Sequence, residues 1–109
     1  MMPRILPDVL KNVFRKPATV KYPYERIEPP EGMRGKPAID KEKCISCGLC
    51  VKVCPNRAIT LDEETKKPRI SLSRCIFCGE CAEVCPRKAI TMTKEYELAV
   101  YDKAHAVSE

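Results

Sequence analysis

The chain has 109 residues, including eight cysteines, and carries a formal net charge of +5 at pH 7. A single domain of this length with extensions cannot bury a large apolar core, so something besides the core must help to hold it together. Its apolar runs are too short to span a membrane and no secretory signal pattern is present, which favours a reducing compartment and metal-bound cysteines over disulfides.

Residues 1–36 are basic and rich in proline, with eight Lys or Arg against four Asp or Glu. Apolar residues at helical spacing predict an amphipathic helix over residues 5–14, which Pro17 ends. The apolar face of this helix comprises Ile5, Leu6, Val9, Leu10, Val13 and Phe14. The basic residues that flank the face are Arg4, Lys11, Arg15 and Lys16. An extended chain is expected over residues 17–35, with Tyr22 and Tyr24 as anchors.

An internal repeat occupies the middle of the chain, where residues 37–61 match residues 68–92 at a constant offset of 31 without a gap. Each unit predicts a short strand, a loop, a helical turn ended by proline, and a second short strand. The strands are expected around Ile39 and Ile70 and over 58–61 and 89–92, and the helical turns over 50–54 and 81–85. The polar residues 62–67 between the units predict a hairpin loop. Two such units are too small to stack as a solenoid, so they are expected to pack about a pseudo-two-fold axis.

The eight cysteines fall into two runs of the form C-x2-C-x2-C-x3-C-P, one in each repeat unit. This is the spacing of bacterial two-cluster ferredoxins, in which the fourth cysteine of each run ligates the other cluster. Three cysteines at this spacing wrap one cubane through a tight loop, and the fourth faces the opposite half. The predicted ligands of two [4Fe–4S] clusters are Cys44, Cys47, Cys50 and Cys85 for the first, and Cys75, Cys78, Cys81 and Cys54 for the second.

Zinc and disulfides are the alternatives for these cysteines. Zinc sites often use paired C-x2-C elements, but the two further cysteines of each run exceed that need. Around the clusters, Gly48 and Gly79 are predicted to adopt positive φ and to let the backbone approach the sulfide closely. An apolar jacket is expected from Ile45, Val53, Ile59, Ile76, Phe77, Val84 and Ile90.

Over residues 37–93 the double cysteine motif resembles the two-[4Fe–4S] ferredoxin family, which implies an α+β fold of the bacterial 2[4Fe–4S] ferredoxin type. The flanks are similar to the 23-kilodalton or TYKY-type subunit of respiratory complex I, at residues 10–23 (LKNVFRKPATVKYP) and at residues 96–99 (YELA). The same subunit type occurs in membrane-bound group 4 [NiFe] hydrogenases and their sulfur-reducing relatives. The modest length of this chain favours the hydrogenase-like branch.

The resemblance implies an electron-transfer subunit without an active site of its own, in a membrane-associated oxidoreductase complex. The implied partners are a hydrogenase-like or complex I-like large subunit, a single-cluster small subunit, membrane-arm subunits, and a soluble ferredoxin as candidate donor. The implied location is peripheral, at the cytoplasmic face of the membrane, and no nucleic-acid partner is expected. The alternatives are the delta subunit of a soluble 2-oxoacid:ferredoxin oxidoreductase and a free ferredoxin.

Three parts of the chain are expected. Residues 1–36 would form an amphipathic helix and an extended docking arm. Residues 37–93 would form the two-cluster domain, and residues 94–109 a C-terminal docking tail.

Overall fold

The computed structural model describes residues 5–108, so Arg4, the other residues before Ile5, and Glu109 lie outside the described residues. The described chain is a small mixed α/β fold with three short helices: α1 (Ile5–Val13), α2 (Leu49–Val53) and α3 (Glu80–Glu83). Its strands are β1 (Pro37–Ile39), β2 (Ile59–Leu61), β3 (Pro68–Ser71), β4 (Ile90–Met92) and β5 (Val107–Ser108). A 3₁₀ turn, Lys103–His105, precedes β5. The elements predicted from the repeat are therefore confirmed, with bounds that differ by one or two residues.

Each of the two antiparallel sheets combines strands from both repeat units. In the first sheet β1 pairs with β4, with Ile39 opposite Ile90. In the second sheet β2 pairs with β3, with Ile59 opposite Ile70, and β5 adds to the other edge of β3. The hairpin predicted over residues 62–67 joins β2 to β3. The two halves are thus interlocked through backbone hydrogen bonds rather than folded separately.

The core lies between the two sheets and the short helices. Its buried cluster consists of Cys50, Ile59, Ile70 and Ile90, each 9% exposed or less. Half-buried residues of both halves pack against it, among them Cys54, Cys75 and Cys81. So small a core is consistent with the expectation that a chain of this length needs another source of stability.

Helix α1 presents its apolar residues to solvent. The helix ends at Val13, within one residue of the prediction. Pro7 stands in its first turn, where the missing N–H of proline is tolerated, and the negative charge of Asp8 is favourable near the helix N-terminus. None of its residues is buried, and the exposed fraction of its apolar side chains runs from 45% for Leu6 to 70% for Val13. Tertiary contacts among residues 5–108 therefore leave this face uncovered.

The segment between α1 and β1 is tied to the segment that follows β4. The Tyr22 hydroxyl donates to the Glu97 carboxylate at 2.5 Å, and the Arg26 guanidinium approaches the other carboxylate oxygen at 3.3 Å. Tyr22 is thus an anchor, as predicted, whereas Tyr24 is 92% exposed and does not anchor the segment to the other described residues. The difference arises because Tyr22 has an acceptor within reach.

Gly35 allows a second and closer contact between the same segments. The N–H groups of Gly35 and Lys36 donate to the carbonyl oxygens of Thr93 and Glu95, each at 2.8 Å. A Cβ atom at residue 35 would lie 2.4 Å from the Glu95 oxygen and 2.6 Å from the Thr93 oxygen. Only glycine permits this approach without displacing backbone.

The C-terminal segment contributes a strand to the second sheet. It forms the 3₁₀ turn and then β5, whose Ser108 is 4% exposed and donates its hydroxyl to the Pro37 carbonyl at 2.6 Å. The segment is therefore part of the second sheet, and Ser108 links it to β1. No helix within residues 5–108 has the length and hydropathy needed to cross a bilayer.

Candidate metal centre

The two cysteine loops share a left-handed backbone at equivalent positions. Gly48 has a φ of 71° and Gly79 a φ of 83°, each directly before its helix, as predicted. Ser46 and Phe77, each immediately before the second cysteine of its run, also have positive φ, of 57° and 55°. Both loops therefore have the same backbone conformation, and the sequence predicted positive φ only at the two glycines.

The first cavity brings together cysteines from both halves of the repeat. Cys44, Cys47 and Cys50 line it from the first loop and α2, and Cys85 lines it from the end of the second run. Apolar side chains form much of the remaining wall, and these are Ile45, Leu49, Leu61, Pro68, Ala89 and Ile90. This is the combination of four cysteines that the spacing assigns to the first cluster.

The second group of cysteines is also drawn from both halves. Cys54, Cys75 and Cys81 all pack against the isoleucine core. Cys54 and Cys78 lie close enough to Cys75 to act electrostatically on its thiol. The fourth cysteine of the first run is therefore a neighbour of the second run.

Burial opposes ionisation of several of these thiols. Burial, with a smaller contribution from the neighbouring Cys75 and Cys78, raises the pKa of Cys81 to about 11. Burial likewise raises the pKa of Cys50 and of Cys75. Because the thiolate is the form that binds metal, ionisation at these positions requires a positively charged partner, which iron would supply.

The donor set fits [4Fe–4S] clusters in other respects. All eight cysteines are free thiols. Backbone N–H groups point at sulfur: those of Ala58 and Ala89 lie 3.2 Å from the Sγ atoms of Cys54 and Cys85, respectively. Hydrogen bonds to sulfur and burial are the means by which a protein tunes such clusters.

Among residues 5–108, no group of three or more His, Cys, Asp or Glu side chains is arranged to hold a single metal ion.

The two groups of cysteines meet where α2 packs on α3. Cys50 lies on α2 and Cys81 on α3, and Cys50 is close enough to act on the Cys81 thiol. The two candidate sites are thus neighbours within one core.

A cation is hydrogen-bonded to each cysteine loop. The Lys67 ammonium group donates to the Cys44 carbonyl at 2.5 Å, and the Arg34 guanidinium donates to the Cys78 carbonyl at 2.5 Å. Sequence reasoning missed both residues, because an isolated cation outside a motif gives no signal of where its side chain will reach.

The predicted jacket is only partly formed. Ile59 and Ile90 are buried at 4% and 3% exposure, and Ile45 lines the first cavity at its rim. Ile76 is 60% exposed, and Phe77 is half-buried.

Comparison with known proteins identifies the cysteine-rich part of the chain. Residues 43–89 match the model of the 4Fe-4S dicluster domain. Subunit I of NAD(P)H-quinone oxidoreductase from Gloeobacter violaceus is 46% identical over 59 residues, which are 54% of this chain and 28% of that protein. The chloroplastic subunit I of Marchantia polymorpha is 43% identical over 58 residues, which are 53% of this chain and 32% of that protein. The chain thus matches about a third of the length of these relatives.

A solved structure extends the similarity beyond the cysteine motifs. A chain of the membrane-bound sulfane sulfur reductase, an archaeal respiratory membrane complex, superposes with a TM-score of 0.78 at 37% identity. The match covers 97% of this chain and 59% of that chain, so it includes the segments on both sides of the cluster domain.

The cysteine geometry and these similarities agree on the cofactors, which are two [4Fe–4S] clusters. Residues 43–89 thus carry a 4Fe-4S dicluster domain, and over about half of its length the chain is similar to subunit I of NAD(P)H-quinone oxidoreductase.

Proposed function

We propose that this chain is an electron-relay subunit of a membrane-associated oxidoreductase complex, of the membrane-bound hydrogenase or complex I-like type. The observation that carries the proposal is the cavity in which Cys85 of the second half joins three cysteines of the first. Two clusters in one small core supply one-electron chemistry over a short distance. The chain would relay electrons between a ferredoxin and the single cluster of a neighbouring subunit.

The proposed ligands follow the crossed arrangement. Cys44, Cys47, Cys50 and Cys85 would hold the first cluster, and Cys75, Cys78, Cys81 and Cys54 the second. The shared cavity supports the first set, and the proximity of Cys54 to Cys75 supports the second. In this arrangement the thiolates would bind iron, the buried isoleucines would exclude water, and the N–H groups of Ala58 and Ala89 would stabilise negative charge on sulfur.

We further propose that the repeat units of a 37–93 domain are related by a pseudo-two-fold axis, and that the flanks 1–36 and 94–109 dock on partners. The exposed apolar face of α1 supports docking, because an amphipathic helix of this kind normally buries its face against protein or lipid. The partners would be the large subunit, the single-cluster small subunit and membrane-arm subunits. The chain would lie peripherally at the cytoplasmic face of the membrane, with a soluble ferredoxin as donor.

Spectroscopy of the purified full chain tests the relay. Iron loading should give charge-transfer absorption in the visible range, and dithionite reduction should give EPR signals of two interacting clusters. A spectroscopically silent protein that contains zinc would contradict the proposal.

A matched pair of substitutions on α1 tests the docking. Leu10→Asp places a negative charge on the apolar face, which is 57% exposed at Leu10, and should move the chain from the membrane fraction to the soluble fraction. Asn12→Asp adds the same charge to the same helix outside the apolar face and should leave the distribution unchanged. Equal behaviour of the two variants would rule out a specific role of the apolar face.

A further inference from the structure

Lys67 and Arg34, the cations that contact the two cysteine loops, do not belong to the cysteine motif. Each reaches its loop from outside the motif, Lys67 from the β2–β3 hairpin and Arg34 from the segment before β1. Each binds a backbone carbonyl of a different run, at Cys44 and at Cys78. The two loops thus have separate cationic neighbours.

Lys67 is the more enclosed of the two. Its side chain is half-buried beside Pro68, which lines the first cavity. The Asp62 N–H donates to the Lys67 carbonyl at 2.9 Å, so the hairpin fixes the backbone from which the side chain reaches Cys44. Within residues 5–108, no carboxylate lies within 4.0 Å of its ammonium group.

Arg34 is held in place by its neighbour. Gly35 lies so close to Thr93 and Glu95 that the chain at this point is fixed against the segment that follows β4. The Arg34 side chain then lies over the second loop, with its Nε 3.7 Å from where a Cβ of Gly79 would stand. This guanidinium too has no carboxylate within 4.0 Å in the described part of the chain.

A fixed cation beside a cluster favours the reduced state, which carries one more negative charge than the oxidised state. The two cations contact different loops, and no carboxylate of residues 5–108 lies close enough to neutralise their charges. We propose that Lys67 raises the reduction potential of the cluster held by the Cys44 loop, and that Arg34 raises that of the cluster held by the Cys75 loop. The inference rests on the proposed cluster ligation.

The two effects differ in their sensitivity to salt. Lys67 is half-buried, whereas the Arg34 contact is exposed and screened by solvent ions. Loss of Lys67 should therefore shift the reduction potential of its cluster by more than loss of Arg34 shifts that of the other cluster. Only the Arg34 effect should shrink markedly as the ionic strength rises.

The experiment is a redox titration of the full chain with both clusters bound, followed by the hyperfine-shifted NMR signals of the cysteine β-protons. Cys47→Ser and Cys78→Ser assign the signals to the two loops. Lys67→Gln should move only the Cys44-loop cluster to a more negative midpoint, and Arg34→Gln only the Cys75-loop cluster. The charge-preserving variants Lys67→Arg and Arg34→Lys should keep the native midpoints.

Lys11→Gln is the matched control, because it removes the same charge from α1, whose residues are all exposed. It should leave both midpoints unchanged. Three results would overturn the inference. The midpoints of both clusters could shift equally in either glutamine variant, the charge-preserving variants could shift a midpoint as much as the glutamine variants do, or no midpoint could shift at all. A native chain that binds no clusters would instead refute the proposed function, so the two failures are distinguishable.

Discussion

At the residue scale, the central feature is the exchange of one cysteine between the two halves. Cys85 reaches the cavity of the first run, and Cys54 lies beside Cys75 of the second. In the proposed ligation, each cluster therefore depends on residues from both repeat units. Substitution of the fourth cysteine of one run should therefore perturb the cluster of the opposite half.

We expect Cys54→Ser to perturb the cluster of the second run and to spare that of the first, because Cys54 is the proposed fourth ligand of the second. Cluster-resolved NMR or Mössbauer spectra of the variant would show this. Cys85→Ser is the reciprocal variant and should perturb the first cluster. If Cys54→Ser instead altered the first cluster alone, the crossed assignment would be wrong.

Gly35 is a residue at which an added side chain should clearly lower the free energy of unfolding. A Cβ there meets two backbone oxygens at 2.6 Å or less, and neither can move without disturbing the chain after β4. Gly35→Ala should lower the free energy of unfolding of the holo-chain by about 1–3 kcal/mol, as overpacking does. Denaturant titration measures this, with Gly32→Ala as control, since nothing lies within 4 Å of a Cβ at Gly32. Similar stabilities of the two variants would argue against this account of Gly35.

At the element scale, the sheets join parts of the chain that are distant in sequence. β1 and β4 come from opposite ends of the repeat, and β5 adds the C-terminal segment to β3. The hydroxyl of Ser108 extends this connection to the Pro37 carbonyl. The C-terminal segment therefore contributes to the cluster domain itself.

Ser108→Ala should lower the free energy of unfolding by about 1–3 kcal/mol, because it leaves the Pro37 carbonyl without this donor in a buried site. Thermal or denaturant unfolding of the holo-chain would measure the loss. Ser73→Ala, at an exposed serine, is the control and should change little. No difference between them would indicate that β5 adds little to the stability of the sheet.

The repeat was enough to predict most elements of the core, because each unit carries its own strand and helix signals. It could not predict β5: Val107 and Ser108 have no periodic pattern, and their pairing depends on the free edge of β3. The cysteine spacing alone predicted which cysteines line the first cavity. The contacts of Lys67 and Arg34 could not be predicted from the sequence, since they depend on tertiary structure that brings remote segments to the loops.

At the scale of the whole molecule, the chain is elongated and its core is small. The radius of gyration is 20.5 Å and the longest dimension is 70 Å, compared with about 13 Å for the radius of a compact chain of this length. Apolar burial is concentrated in a few isoleucines between the cysteine loops. The bound clusters should therefore contribute much of the stability of residues 37–93.

Removal of iron by a chelator should unfold residues 37–93, because the cysteine loops then lose the group that links the two halves. Far-ultraviolet circular dichroism would follow the loss of structure. Supplying iron and sulfide again under reducing conditions should restore the native spectrum. An apo-chain with an unchanged spectrum would show that the isoleucine core is sufficient by itself.

The central claim is that one chain holds two [4Fe–4S] clusters. Mössbauer spectroscopy of the full chain, enriched in ⁵⁷Fe and combined with iron and sulfide determination, tests it most directly. The account predicts that all the iron is in [4Fe–4S] form and that each chain contains enough iron and sulfide for two clusters. Mononuclear iron, or iron for only one cluster in a fully loaded chain, would contradict it.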